Sequence, residues 1–219
     1  PLLTAGVLIL VFSVVVRIDL EAYWAFLISG YFVWNYIAQN VNAGTMLLLE
    51  HAALRKSIAF PAELLVFGSA ISRLVEFAIE LGMVMIVLAV FHHGTMPLSF
   101  LVVPVLILIL FMVAVGLTMA IAVASAFYHD VQHVVPILLL TLFYLSPVFY
   151  PLSFVPEALQ PYFNLNPFAA LLTLFHTALY EGRYPQSGVL VLAGAWASGL
   201  LLFGNFLFNR YKSILAEIV

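Results

Sequence analysis

The chain has 219 residues, of which 65% are hydrophobic and 8% charged, with a formal net charge of −3 and no cysteine. A soluble domain carries about 25% charged residues, so this composition, with a mean hydropathy of +1.18, points to an all-α polytopic membrane protein. The acidic balance speaks against a nucleic-acid partner, and the missing cysteine removes disulfides and thiolate metal sites.

The sequence begins at Pro1, already apolar, with no initiator Met and no basic front or small-residue cleavage site of a signal peptide. A segment upstream of Pro1 is therefore expected. Six spans are read in order. Leu2–Val16 is slightly short. Ala22–Leu49 carries Gln39, Asn40 and Asn42 in its later half, which suits a helix packed inside a bundle. The polar loop Glu50–Glu63 leads to Leu64–Phe91, a span interrupted by Arg73, Glu76 and Glu80. After His92–Pro97 comes Leu98–Phe127, whose Gly116 and spaced alanines permit close helix approach. The fifth span is Val134–Tyr150 and the sixth Ser187–Phe208, followed by a short amphipathic tail. All six fall in a single transmembrane domain, residues 1–219.

Between the fifth and sixth spans lie Pro147, Pro151, Pro156, Pro161 and Pro167. Each proline removes a backbone donor and clashes with the preceding turn, so no helix continues through them. The segment is nevertheless apolar and aromatic. Irregular backbone at membrane depth is tolerated where protein buries it or where it lines a wet cavity. The expectation is a re-entrant hairpin over about 152–180, with Glu157 and Gln160 near a short helix after Pro156. Orientation follows from Lys and Arg near the span ends. Arg55, Lys56, Arg210 and Lys212 fall on one side, Arg17 and Arg183 on the other. That places the 50–63 loop, the 128–133 turn and the C-terminus in the cytoplasm, and the hairpin on the outer face.

The chemistry available is sparse. Neither lysine, Lys56 or Lys212, follows a glycine-rich turn, so the phosphate cradle of a P-loop is missing. No catalytic residues or metal ligands are assigned; His92-His93 beside Met96 reads as a polar loop rather than a metal site. Arg73, Glu76 and Glu80 share one helix face. They read as a structural ion pair, Arg73 with Glu76, and alternatively as a proton or cation relay. Residues 54–63 combine a basic pair, a Phe-Pro break and an acid at a helix head. This reads equally as an inter-helix loop or as a handle for a partner that supplies a motor.

Four ordered stretches, RKSIAFPAELL (55–65), FYHDVQHVVP (127–136), LSPVFYPLSFVP (145–156) and NLNPFAALL (164–172), resemble the type-2 ABC transporter permeases that export polysaccharides, the O-antigen, teichoic-acid and capsule class. His129 departs from the arginine usual before the aspartate, and the N-terminal cytoplasmic amphipathic helix of that class is missing. The resemblance implies a homodimeric permease in the bacterial cytoplasmic (inner) membrane, in contact with membrane lipids. It binds two copies of a separate ABC ATPase, which holds the ATP and Mg, and no cofactor sits in this chain. The ATPase contact would be Arg55, Lys56, Phe60, Pro61 and Glu63, with His129 and Asp130. The outer gate would include Pro147, Pro151, Pro156, Glu157, Asn166 and Pro167. A lipid-linked polysaccharide would pass along Tyr31, Trp34, Tyr36, Phe143, Tyr144 and Tyr150, chosen because aromatic faces stack on sugars. A drug or lipid exporter of the same fold is the alternative, and an ion- or proton-coupled carrier the more distant one.

Overall fold

The computed structural model describes residues 2–15, 18, 20–50, 61–91, 97–164 and 166–218. These residues form helices and connections, with no strand among them. Helix α1 is Leu2–Leu10, continued by a π-helical turn, Val11–Val15; α2 is Tyr23–Glu50 and α3 Ala62–Phe91. A 3-10 turn, Leu98–Val102, leads into α4, Val103–Phe127, and α5 is Val131–Leu145. Then come a 3-10 turn at Leu152–Phe154, short α6, Gln160–Asn164, and α7, Pro167–Phe175, with a second π-helical turn at His176–Tyr180. Helix α8 runs from Ser187 to Ile218.

The punctuation has local causes. Pro61 precedes α3, and Glu63 sits in its first turn, where an acid meets the positive end of the helix dipole. Helix α5 ends at Leu145, earlier than the Tyr150 expected from hydropathy. Pro147 biases Ser146 away from helical dihedrals, and Pro151 withdraws another donor. Helix α8 does not end at Phe208 but carries the tail on as helix to Ile218. The first apolar run is α-helical only to Leu10.

Leu98–Phe127 and Ser187–Lys212 are, among the described residues, long and apolar enough to cross a membrane on composition alone. Helices α2 and α3 are as long, at 28 and 30 residues. They carry internal polar residues, Gln39, Asn40 and Asn42 on α2 and Arg73, Glu76 and Glu80 on α3. The outward face of α3 is nevertheless a stripe of Ile71, Val75, Ile79, Met83, Ile86 and Val90, all exposed. Such a surface suits hydrocarbon and not water.

The chain divides into two compact units. The first comprises Pro1–Asn35, Phe77–Ile107 and Phe143–Ala193. Its core is aromatic, built by Phe26, Tyr31, Trp34, Phe77 and Phe100 with the inner face of α7. The second comprises Tyr36–Glu76, Leu108–Leu142 and Gly194–Val219. Its core is small and aliphatic: Val66, Ala70, Val115, Met119, Ala122, Ala126 and Leu215 around Phe208. Buried hydroxyls there bond to backbone carbonyls, Thr118 to Ala114 O at 2.7 Å and Ser125 to Thr45 O at 2.5 Å. Tyr36 Oη donates to Ala70 O at 3.1 Å.

Within this second unit α4 and α8 meet backbone to backbone. A Cβ on Gly116 would lie 2.5 Å from Leu200 C and O, and one on Gly204 would strike Gly116. Backbone cannot rotate away as a side chain can, so a larger residue must part the helices. Gly116→Val should cost at least the ~1–3 kcal/mol of core overpacking. Gly194→Ala, where nothing lies within 4 Å, should be neutral or slightly stabilising because it removes a flexible helix glycine. Thermal unfolding of the purified protein in micelles distinguishes the two, and equal melting temperatures would refute the close approach.

Candidate functional site

The proline-rich segment is held by α7. Asn166 caps this helix, its Oδ1 accepting from Phe168 N at 2.9 Å, with Pro167 at the first helical position. The other half of the same amide donates to Ser146 Oγ at 3.0 Å and reaches Leu145 O at 3.5 Å. One side chain thus satisfies an orphan donor at the head of α7 and ties that head to the end of α5. Ser146, Pro147 and Val148 are buried at this junction. Gln160, at the start of α6, turns its amide back to Val155 O at 3.0 Å, while Glu157 and Pro156 are exposed.

Behind the junction, Phe168 to Leu172 and Leu174 to His176 are buried. The His176 ring lies 3.9 Å from that of Phe26. It also fills the space over Gly30, where a Cβ would collide with it and come within 2.9 Å of Val148 O. His176 Nε2 is buried with no hydrogen-bond partner among the described residues. Three further bonds secure the segment: Tyr23 Oη to Phe149 O at 2.8 Å, Tyr180 Oη to Glu21 O at 2.6 Å, and Ser99 Oγ to Ala178 O at 2.8 Å. His176, Gly30 and Tyr23 escaped sequence reasoning, because their roles depend on packing. Ser146-Pro147 carries a local signal, and marks where the fifth span loosens.

The aromatic candidates separate into two groups. Tyr31, Trp34 and Tyr36 are buried on α2. Trp34 meets Phe168 edge-on at 5.5 Å and Phe143 at 6.0 Å. Phe143, Tyr144 and Tyr150 instead form a partly open cluster with Phe149, centroid distances being 5.0 to 5.7 Å. Tyr144 is exposed and Tyr150 donates to its carbonyl at 3.0 Å. A cleft of about 360 Å³ lies beside the end of the hairpin, lined by Thr173, Thr177, Glu181, Arg183, Tyr184 and Gln186 among others.

In the second unit, Pro61 is exposed at the head of α3, and Tyr128, His129 and Asp130 form an exposed turn between α4 and α5. Glu63 accepts from Lys212 Nζ at 2.5 Å. Burial pushes the Glu63 carboxyl up, but hydrogen bonds from Lys212 and from its own backbone, with the lysine charge, carry it below the ordinary carboxylate value. Arg55, Lys56 and Phe60, with His92 and His93, lie outside the described residues.

The expected Arg73–Glu76 pair is not formed. Arg73 Nη1 donates instead to Ser69 Oγ and Ser69 O, four residues earlier, and Glu76 is exposed. Helical side chains lean toward the N-terminus, so the guanidinium finds the preceding turn before the following one.

Residues 1–180 match the family described as ABC-2 type transporter. The chain belongs to the ABC-2 type transporter family. It is 29% identical over 222 residues to the O-antigen export system permease protein RfbA of Myxococcus xanthus, covering 100% of this chain and 85% of that protein. Two proteins of the same description from Klebsiella pneumoniae are 24% and 23% identical over 223 residues, each covering 100% of this chain and 84% of the relative. This ABC-2 protein is a membrane transport subunit of permease type.

The junction generates a direct test. Asn166→Ala removes cap and tie together and should cost at least the ~1 kcal/mol of a lost N-cap, or about 2–4 °C in melting temperature for a chain of this size. Asn166→Asp keeps the cap oxygen but loses the donor to Ser146, and should recover part of that loss. Indistinguishable unfolding curves for all three proteins would remove the junction from the account.

Proposed function

We propose that this ABC-2 permease exports a lipid-linked, O-antigen-like polysaccharide across the bacterial inner membrane. The reading takes the permease as a homodimer bound to two copies of an ABC ATPase, which holds the ATP and Mg. The observation that carries it is the end-to-end similarity to three O-antigen export permeases. The partly open aromatic cluster of Phe143, Tyr144 and Tyr150, and the cleft lined by Glu181, Arg183, Tyr184 and Gln186, support a glycan. Ring faces stack on sugar C–H surfaces, and charged and amide groups match hydroxyls. Tyr31, Trp34 and Tyr36 back the path from within the subunit.

In this reading the chain spans the membrane six times, with its C-terminus cytoplasmic. Residues 152–180 form a re-entrant hairpin on the outer face. Pro147, Pro151, Pro156, Glu157, Asn166 and Pro167 build the outer gate, hinged where α5 ends. Arg55, Lys56, Phe60, Pro61 and Glu63, with His129 and Asp130, seat the ATPase. A lipid-linked chain emerging between two permeases meets the gate last.

Deleting the permease should strand lipid-linked glycan in the cytoplasmic leaflet and remove it from the cell surface, and the wild-type gene should restore it. Normal surface glycan in the deletion strain would refute the substrate. Export of a dye or lipid instead would move the reading to a drug or lipid exporter.

Docking has its own expected outcome. Phe60→Asp and Asp130→Lys should each reduce ATPase copurification and export about tenfold or more, the scale of losing a central interface contact. Membrane insertion should persist because no span is altered. Full copurification in both variants would return the 55–63 segment to an ordinary loop.

Topology is tested by single cysteines, which this cysteine-free chain accepts without background. Cysteine in place of Ser153, Glu157 or Tyr184 should react with a membrane-impermeant thiol reagent added outside intact cells, and cysteine in place of His51 or Ser213 should not. Labelling at 157 from the cytoplasmic side alone would invert the orientation and with it the gate.

A further inference from the structure

Helix α8 carries four large side chains on one face of its last turns, Phe208, Tyr211, Lys212 and Leu215, at spacings of three and four. Phe208 and Leu215 are fully buried, in one cluster with Ala62 at the head of α3 and Ala126 at the foot of α4. The two residues between them reach further. Tyr211 meets the ring of Phe127 edge-on, at a centroid distance of 5.3 Å and 72°. Lys212 Nζ pairs with Glu63 Oε1 at 2.5 Å.

The partners matter by position. Phe127 is the last residue of α4, immediately before the exposed Tyr128-His129-Asp130 turn. Glu63 lies in the first turn of α3, just after the 55–60 segment. One helical face therefore grips the roots of both segments that the proposed function assigns to the ATPase. The ion pair is also asymmetric. The lysine side chain keeps 52% of its exposure while that of Glu63 keeps 18%, and Glu63 Oε2 is buried without a partner among the described residues. The acid is turned inward to the strut rather than outward to a docking surface.

We propose that the end of α8, residues 208–215, is a positioning strut that holds the roots of the two ATPase-facing segments, Glu63 and Phe127, in fixed register, with Tyr211 and Lys212 as its positioning residues. In this refinement of the proposed ATPase seat, Glu63 serves it by anchoring Lys212, and its neighbours make the contact itself. A displacement imposed on one segment passes to the other because the helix between them is packed and cannot yield locally. The strut rests on the docking reading for its purpose, but its geometry is measurable without the ATPase.

Nitroxide labels at Leu64→Cys and Tyr128→Cys, both exposed positions outside the assigned contacts, report the separation of the two roots. The measurement is pulsed electron–electron resonance on the full chain in lipid nanodiscs. Lys212→Glu should broaden the distance distribution about twofold, and Glu63→Lys/Lys212→Glu should narrow it again, the non-additivity expected of a directly coupled pair. Lys212→Gln, which removes the charge without opposing two acids, should broaden it less and covers the case in which the reversal does not fold. In proteoliposomes with the ATPase, Lys212→Glu should leave ATPase binding in place but lower glycan exported per ATP about tenfold, with rescue in the swap. An unchanged distribution in Lys212→Glu and Lys212→Gln overturns the strut, as does broadening that the swap leaves uncorrected. Broadening and rescue with export per ATP unchanged leaves the strut standing as geometry and removes its coupling purpose, and with it the docking reading of these two segments.

Discussion

A broken helix leaves backbone groups without intrahelical partners, and the Asn166 amide is where this chain answers that constraint. The proline run after α5 would leave the end of that helix and the start of α7 each with orphaned polar groups. Asn166 serves both, capping α7 with its oxygen and binding Ser146 and Leu145 with its nitrogen. The rest of the first unit follows from this knot. With the head of α7 fixed, the buried stretch from Phe168 onward is laid against Phe26, Gly30 and Trp34. The π-helical turn at His176–Tyr180 then delivers Tyr180 to Glu21. π-helical turns are rare and are frequently found at functional sites. Here the turn begins at His176, whose buried ring nitrogen has no hydrogen-bond partner among the described residues.

The second unit is built on the opposite principle. Between helices in a membrane, hydrophobic burial gives no preference for protein over lipid, so contact must come from close fit and from hydrogen bonds. Gly116 and Gly204 let α4 and α8 touch through backbone, and Gly44 lets α2 approach Thr118, where a Cβ would sit 3.0 Å from its methyl. Hydroxyls spent on carbonyls, as in Ser125 to Thr45, finish the seam. A rigid aliphatic unit of this kind suits the transmission of a push. An aromatic unit organised around a proline break suits an opening. The proposed function asks both of one permease: to be driven by a partner and to release a large molecule.

Composition and the order of apolar runs determined by themselves that the chain is helical and membranous, because neither depends on which residues meet in space. The four ordered motifs pointed to the ABC-2 family for a related reason: they lie at helix heads and proline breaks, where local backbone chemistry dictates residue type. Asn166-Pro167 is an N-cap and first-turn pair in any context. The end of α5 was placed late because hydropathy continues through Val148-Phe149-Tyr150, and hydropathy cannot register a lost backbone donor.

Tertiary structure alone decided the partners. Arg73 and Glu76 are correctly spaced for an ion pair, yet the guanidinium goes back to Ser69, because rotamer direction and not spacing selects the neighbour. Tyr31, Trp34 and Tyr144 are all aromatic residues in apolar runs, and only packing makes the first two buried and the last open. Lys212 and Glu63 are separated by most of the chain. Nothing in either neighbourhood names the other, since a contact of that sequence separation exists only once α3, α4 and α8 have packed.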